Sequence, residues 1–382
     1  MNRRRFLATI PAAFLLPQLK ADAPKGTAAV LERFVESGNL AGAVTLVANR
    51  LNVLNIGAVG YSDVAAKTPL KTDATFWIAS MSKPITAAAL MILVDEGKVK
   101  LDDPIAKYLP EFNALMVAVE KDAEHVLLKK PMKAPTIRNC LSHTSGLPFI
   151  SAMETPTIDV LPLKDAVRSY AITPLNTEPG TKYAYSNAGI NTAGRIIEVV
   201  SRMPYEAFLD KRLFGPCGMT DTTFWPNANQ VKRLAKSYKP GAGGKGLDET
   251  TIGALKYPLT ERSNRYPVPG GGLFSTAADC GKFCQMLLGG GTFDGNKILS
   301  EDAIAELSKK QTPEPLKDNY GLGFAIGPGT FGHGGAFATN MTVDSKRGLV
   351  YVFMVQHAGF PGNGGQSQSA FRKAAEDKYG SK

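Results

Sequence analysis

Residues 82–96 constrain the fold most, because their sequence predicts a helix that is apolar on nearly every side. Such a helix belongs in the centre of a large core, and a chain of 382 residues, 44% of them hydrophobic, is long enough to build one. Pro84 fits only in the first turn of a helix, so the N-terminal end of this helix carries Ser80 and Lys83. Gly97 ends the helix.

Strand-like runs lie near both ends of the chain, and helical runs lie between them. The apolar, β-branched runs 41–50 and 51–63 indicate adjacent strands, and strand character returns between 320 and 357 before a last helix at 366–378. Helical patterns dominate residues 100–310. This order predicts an α+β fold in which both chain ends build an antiparallel sheet flanked by helices, with a large, mainly helical domain inserted.

The predicted domain boundaries follow from this order. An export signal occupies residues 1–23, and the sheet domain combines residues 24–98 with residues 270–382. The mainly helical domain spans 99–269, with long loops concentrated in 226–272.

The first residues predict export from the cell. Residues 1–23 have a basic start, a short apolar stretch and an Ala21-x-Ala23 end. The run RRRFL at 3–7 is typical of a twin-arginine signal, which predicts a periplasmic location. The apolar stretch is too short to span a bilayer, so no stable membrane span is expected after signal removal. An uncleaved anchor is the alternative.

The charge and the cysteine content bear on nucleic-acid binding, on disulfide bonds and on metal sites. The net charge is +10, but no dense block of lysine and arginine follows the signal, so nucleic acid is not an expected partner. Cys280 and Cys284 lie on one face of a predicted helix, which indicates core thiols. The pairing state of Cys140 and Cys217 is left open. The sequence has no cysteine and histidine cluster with zinc-ligand spacing.

Ser80 and Lys83 are candidates for nucleophilic chemistry. They lie three residues apart at a helix N-terminus, so their side chains share one face. A neighbouring base makes a serine hydroxyl reactive, and the free N–H groups of a helix N-terminus can bind an oxyanion. A serine cap with an outward-reaching lysine gives the same pattern, but the predicted burial of the helix disfavours it.

Two later segments contain further candidate residues for the same site as Ser80 and Lys83. The segment YSN at 185–187 is extended and precedes a helix, which puts Tyr185 and Asn187 on the same side. A packing tyrosine followed by a helix-capping asparagine is the alternative interpretation. The segment HGG at 333–335 combines strand character with glycines, which indicates a close approach to the backbone. A bend with a half-exposed histidine is the alternative there.

Together, the segments SMSK at 80–83, YSN and HGG resemble the three motifs of the serine β-lactamase and penicillin-binding-protein superfamily. Their order and separation are similar to the branch that contains class C β-lactamases, DD-peptidases, D-aminopeptidases and related esterases. The resemblance covers roughly residues 27–360 and implies a β-lactamase/transpeptidase-like fold, with the active site between the sheet domain and the mainly helical domain. Five further blocks resemble the same branch: LSHTSGLP (141–148), LFGPCGMTDTTF (213–224), PGGGLFSTAADCGKF (269–283), YGLGFAIG (320–327) and GHGGAFATNMTVDSKRGLVYVFMVQ (332–356).

The resemblance implies a catalytic role for three residues. Ser80 is the expected nucleophile, Lys83 its activating partner, and Tyr185 the shared general base and later acid. Lysine and tyrosine ordinarily have pKa values near 10, so a base at neutral pH requires a shifted pKa, and the two groups are expected to titrate as a coupled pair.

The resemblance also implies the binding groups around them. Asn187 is expected to position Lys83 and the substrate, and His333 and Gly335 are expected to contact the substrate. The backbone N–H groups of Ser80 and Ala336 are the expected oxyanion hole. No metal or cofactor is expected.

Two departures from the class C β-lactamases bear on the substrate. Those enzymes carry lysine where this chain has His333, and glutamine at the position that we align with Ile150. Both departures favour less polar acyl groups, so the predicted function is a serine hydrolase that acts on carboxyl esters or related acyl and amide substrates. A class C-like β-lactamase, a D-Ala-D-Ala carboxypeptidase or D-aminopeptidase, and a non-hydrolytic protein that binds penicillin or cell-wall fragments are the alternatives.

Overall fold

The computed structural model describes residues 26–380, and the predicted export signal at 1–23 lies outside them. Within the described residues the strands are β1 Gly42–Ala48, β2 Val53–Asp63, β3 Thr68–Pro69, β4 Phe76–Trp77, β5 Val117–Lys121, β6 Val126–Lys129, β7 Ser237–Pro240, β8 Leu247–Thr250, β9 Phe274–Ser275, β10 Thr292–Phe293, β11 Asn296–Lys297, β12 Ala325–Gly327, β13 Thr330–Gly334, β14 Asn340–Asp344 and β15 Leu349–Met354. The α-helices are α1 Glu32–Glu36, α2 Ser82–Asp95, α3 Ile137–Leu141, α4 Leu163–Ala171, α5 Asn187–Ser201, α6 Tyr205–Leu209, α7 Gly215–Cys217, α8 Ala228–Lys232, α9 Ala277–Leu288, α10 Glu301–Ser308 and α11 Ser367–Tyr379.

A seven-stranded sheet forms the centre of the fold, in the order β12-β13-β14-β15-β1-β2-β3. All of its pairings are antiparallel. The early strand β1 and the late strand β15 are neighbours in the middle, where Leu46 lies opposite Val352. Every residue of both strands is buried. The predicted α+β fold, with an antiparallel sheet from both chain ends, is confirmed.

Helices cover both faces of this sheet. On one face α9 packs against β1, β14 and β15, and Gly281 permits the close approach, since a Cβ there would lie 3.0 Å from the Leu46 side chain. On the other face Phe34 of α1 and Phe371 of α11 belong to a second apolar cluster with Phe353. The two covered faces explain why the central strands are apolar throughout.

The helix predicted from residues 82–96 is α2, and its burial is confirmed. Every residue from Ser82 to Leu93 is buried, and α2 packs against α5 and α10 inside the main hydrophobic cluster. The four cysteines are buried free thiols, as expected for Cys280 and Cys284, and Cys140 and Cys217 are free as well.

The loop predicted at 226–272 is partly wrong, because the structure contains α8 and a β7–β8 hairpin there. Gly243, Gly244 and Gly246 adopt positive φ in the connecting turn, so the glycines that suggested loop instead allow the chain to reverse. No helix of the described residues is both long and apolar enough to cross a membrane.

A buried ion pair joins the loop before α4 to the loop before β9. The Arg265 guanidinium lies 2.7 Å from the Asp159 carboxylate, and both side chains are almost fully excluded from solvent. Arg265 also donates to the carbonyls of Phe224 and Leu259, and Asp159 also accepts from the Lys256 N–H. Removal of one partner leaves an uncompensated charge in the protein interior.

We therefore expect Asp159→Ala to lower the free energy of unfolding by about 3–5 kcal/mol, because Arg265 keeps its charge and loses its partner. Chemical denaturation followed by circular dichroism measures the loss. The matched control is Asp165→Ala, since the exposed Asp165 pairs with Arg168 at 4.0 Å and its loss should cost about 1 kcal/mol or less. Equal losses in the two variants would contradict the prediction.

Candidate active site

Ser80 lies in a tight turn that leads from the short strand β4, which pairs with β9, into α2. The turn Ala79–Met81 is a 3₁₀ helix, and Ala79 adopts φ +45°, a strained conformation for a residue with a side chain. The Ser82 hydroxyl donates to the Ala79 carbonyl at 2.7 Å and stabilises the turn. Ala79 and Met81 are buried, whereas Ser80 is half-buried, so the turn leaves Ser80 partly accessible to solvent.

Lys83 is fully buried, and its amine contacts two oxygens. The Nζ atom lies 3.0 Å from Ser80 Oγ and donates to the Gly270 carbonyl at 2.6 Å. It also lies 4.7 Å from the centre of the Tyr185 ring. Within residues 26–380 no carboxylate pairs with Lys83, and burial lowers the pKa of its amine to about 7. Lys83 therefore carries a neutral amine beside Ser80 in a large fraction of molecules at neutral pH.

His143 holds the Tyr185 segment in place. The His143 carbonyl accepts from the Ala184 N–H at 2.8 Å, and its Nδ1 atom accepts from the Ser186 N–H at 3.1 Å. The Tyr185 ring lies on the His143 ring at 4.4 Å between centres. Burial raises the pKa of Tyr185 to about 12, with the Ser80 hydroxyl acting in the opposite direction. Tyr185 is thus protonated in the free protein.

His333 is a neutral hydrogen-bond acceptor. Its Nδ1 atom lies 2.6 Å from the Gly334 carbonyl, which can only accept, so the ring proton sits on Nδ1. The free Nε2 lone pair then accepts from the Tyr320 hydroxyl at 2.9 Å and lies 3.5 Å from the Tyr185 hydroxyl. Burial, with the nearby charge of Lys83, lowers the pKa of His333 to about 3. His333 lies within strand β13, so the alternative of a bend with a half-exposed histidine is wrong.

Asn187 does not hold Lys83 as the resemblance implied. Its Oδ1 atom is buried without a hydrogen-bond partner in the described part of the chain, and Lys83 binds the Gly270 carbonyl instead. The helix cap at this point is Ser186, whose hydroxyl accepts from the Gly189 N–H at 3.0 Å, so the alternative of an asparagine cap is wrong too.

The loop that carries Ala336 lies against the turn that carries Ser80. A Cβ on Gly335 would lie 2.6 Å from the Ile78 carbonyl, so only glycine permits this approach. The Thr339 hydroxyl, 3.4 Å from the same carbonyl, ties the two segments together. The N–H of Ala336 donates to no group of residues 26–380, as an oxyanion donor requires. This agrees with the close backbone approach predicted for the glycines.

The walls beside the site are apolar. Phe149 is half exposed and stacks near Tyr185, with ring centres 6.3 Å apart. Phe337, next to Ala336, packs edge-on against Trp77 at 5.2 Å. Among the described residues no arginine and no second lysine forms a hydrogen bond with the side chains of Ser80, Tyr185 or His333.

Three contributors to the site were missed by reasoning from sequence. The Gly270 carbonyl is a backbone group, for which the residue type carries no signal. Tyr320 and His143 lie inside segments singled out above, but their contacts depend on how distant segments meet. Ser80, Lys83, Tyr185 and His333 are brought together as the sequence predicted.

A serine activated by a buried amine, next to a free backbone donor, defines a site for acyl transfer through a covalent intermediate. The chain belongs to the Beta-lactamase family, whose model matches residues 27–372, and it has the β-lactamase/transpeptidase-like fold. The family is one of serine hydrolases.

Proteins similar to this chain include a mycobacterial protein, an esterase and a hydrolase of known structure. Protein Rv1367c of Mycobacterium tuberculosis is 33% identical over 371 residues, which covers 87% of this chain and 90% of that protein. Esterase EstB of Burkholderia gladioli is 25% identical over 386 residues and covers 91% of this chain and 93% of the esterase. The solved structure of EstCE1, a hydrolase with promiscuous acyltransferase activity, has a TM-score of 0.76 at 23% identity and covers 91% of this chain and 97% of its own.

The pH dependence of acylation should show the titration of Lys83. Its amine accepts a proton only when neutral, so kcat/KM should rise with pH through an apparent pKa of about 7 and then level off. Initial rates of acylation between about pH 5 and about pH 9 measure this rise, which is the acid limb of the pH profile. A rate that stays flat through neutral pH would exclude Lys83 as the base.

Tyr185→Phe should slow acylation by about 100-fold or more, because it removes a hydroxyl placed for proton transfer and keeps the ring. Ser80→Ala is the control and should abolish covalent labelling by an active-site serine probe. Circular dichroism checks that both variants fold. Near-normal acylation by folded Tyr185→Phe would remove the hydroxyl from the mechanism.

Proposed function

We propose that the protein hydrolyses carboxyl esters with apolar acyl groups through a Ser80 acyl-enzyme. The neutral amine of Lys83 takes the Ser80 proton while Oγ forms a bond to the ester carbonyl carbon. The N–H groups of Ser80 and Ala336 stabilise the resulting oxyanion, each by about 3–4 kcal/mol. As the carbon–oxygen bond to the alcohol breaks, Tyr185 protonates the alkoxide, and the proton held by Lys83 later returns to Tyr185.

Water then takes the place of the alcohol. It gives a proton to the same pair of groups, attacks the acyl carbon and releases the acid and the Ser80 hydroxyl. The mechanism needs only groups that surround Ser80 in the structure. Because the pKa of Lys83 is about 7 and that of Tyr185 about 12, Lys83 can accept a proton at neutral pH while Tyr185 holds one that it can donate.

The observation that carries the choice of esters is the neutral state of His333. Penicillins and D-Ala-D-Ala peptides present a carboxylate near the scissile bond, and a binding site for them needs a cation. Burial lowers the pKa of His333 to about 3, and its Nε2 lone pair is engaged by the Tyr320 hydroxyl, so His333 supplies no cation for a carboxylate. The exposed Phe149 ring beside Tyr185 instead favours an apolar acyl chain. The similarity to an esterase supports the same choice.

Quenched-flow mass spectrometry tests the proposal. The protein is mixed separately with p-nitrophenyl butyrate, a penicillin and a D-Ala-D-Ala peptide, with Ser80→Ala as the control. We expect a transient butyryl adduct on Ser80 with turnover of the ester, and no turnover of the other two compounds. Fast penicillin turnover would favour a β-lactamase, and peptide cleavage with a lasting penicillin adduct would favour a DD-peptidase. A lasting adduct without turnover of any compound would favour a binding protein.

A further inference from the structure

A chain of buried hydrogen bonds ends at the carbonyl that holds Lys83. The Glu154 carboxylate accepts from the Tyr170 hydroxyl at 2.7 Å, and the Tyr170 oxygen accepts from the Asn191 amide nitrogen at 2.9 Å. The Asn191 oxygen accepts from the Gly270 N–H at 2.9 Å. The carbonyl of the same Gly270 accepts from Lys83 at 2.6 Å. All four side chains are buried.

The chain has one possible direction. The Gly270 N–H can only donate, so the Asn191 oxygen accepts from it and the Asn191 amide nitrogen donates to the Tyr170 oxygen. The second oxygen of Glu154 accepts from the Ser151 N–H at 2.8 Å. Tyr170 then gives its only proton to Glu154 and can accept only from Asn191. Reversal at any one link would place two donors or two acceptors against each other in the core.

Helix α5 supplies the surface on which the Gly270 segment lies. Asn187, Asn191 and Gly194 share one face of the helix, and a Cβ on Gly194 would lie 2.9 Å from the ring of Pro269. The Thr86 hydroxyl of α2 donates to the Pro269 carbonyl at 2.8 Å, on the other side of the segment. Among the described residues, the segment is thus fixed by close packing and by several hydrogen bonds. At Gly270 itself the N–H donates to Asn191 and the carbonyl accepts from Lys83.

We infer that Asn191 is a positioning residue for Lys83, oriented by Tyr170 and Glu154. Asn191 fixes the backbone at Gly270, and the Gly270 carbonyl fixes the amine at 3.0 Å from Ser80 Oγ. The carbonyl also favours the charged form of the amine, so it opposes the effect of burial on the Lys83 pKa. The inference rests on the proposed use of Lys83 as the base.

The test measures how fast Ser80 reacts with a fluorophosphonate probe as a function of pH. Asn191→Leu keeps the approximate shape of the side chain and removes both hydrogen bonds. We expect the reaction to slow by about tenfold to a hundredfold, because the amine is misplaced. We also expect the acid limb of the rate to move to lower pH than in the unmodified protein, because the ammonium loses a well-placed acceptor.

Thr192→Val is the matched control. It removes a buried hydroxyl of the same helix, which bonds only to the Ala188 carbonyl at 2.8 Å, and it should leave both the rate and the acid limb unchanged. A slower reaction with an unmoved acid limb would overturn the inference, since loss of folded protein alone gives that result. Equal behaviour of Asn191→Leu and Thr192→Val would overturn it too.

Tyr170→Phe provides a second variant in case Asn191→Leu does not fold. It removes one hydroxyl and should move the acid limb in the same direction by a smaller amount, and an unmoved limb in the folded variant overturns the inference. The fluorophosphonate probe reacts with Ser80 whatever the natural substrate is. Failure of the ester proposal can therefore be distinguished from failure of the inference about Asn191. Unmodified protein that reacts at Ser80 but hydrolyses no ester would reject the ester proposal and leave the pH test of Asn191 intact.

Discussion

The site depends on the burial of the Lys83 amine without a carboxylate partner. A charged amine is costly to bury, and the structure offers it only the Gly270 carbonyl, the Ser80 hydroxyl and the face of the Tyr185 ring. A carboxylate in the same place would hold the proton on the amine and make it useless as a base. The apolar helix α2 and the segment at 269–270 exclude water from the amine. The exclusion of water from the core is therefore what lowers the pKa of Lys83.

The side chains that meet at the candidate active site come from distant parts of the chain and are held by regular secondary structure. Ser80 and Lys83 begin α2, Tyr185 precedes α5, and His333 lies in β13. Each is fixed by a neighbour that does not itself face the reaction: Ser82, Gly270, His143 and Tyr320. Because these supports are buried, little rearrangement is required when a substrate binds.

The sequence was sufficient for the fold and for four side chains that meet at the site, Ser80, Lys83, Tyr185 and His333, because these depend on signals carried by residue type. The apolar pattern of 82–96 and the positions of the strand-like runs predicted the central helix and the sheet. The identity of the group that holds Lys83 was not predictable, since a backbone carbonyl is present at every residue and only the packing of α5 selects Gly270. The protonation state of His333 likewise depends on its burial and on the contact with the Gly334 carbonyl, and neither can be predicted from the residue types at 333–335. The hairpin β7–β8 was missed because glycines serve both loops and tight turns.

The pairing of β1 with β15 has a consequence for how the molecule is made. These central strands are separated by about three hundred residues, so the middle of the sheet closes only after nearly the whole chain has left the ribosome. Until then β1 exposes one apolar edge that has no partner. Because β13 and the Ala336 loop are part of the same late segment, the hole for the oxyanion also arrives last. An unfinished chain therefore contains Ser80 and Lys83 but not the complete site, which forms only with the finished sheet.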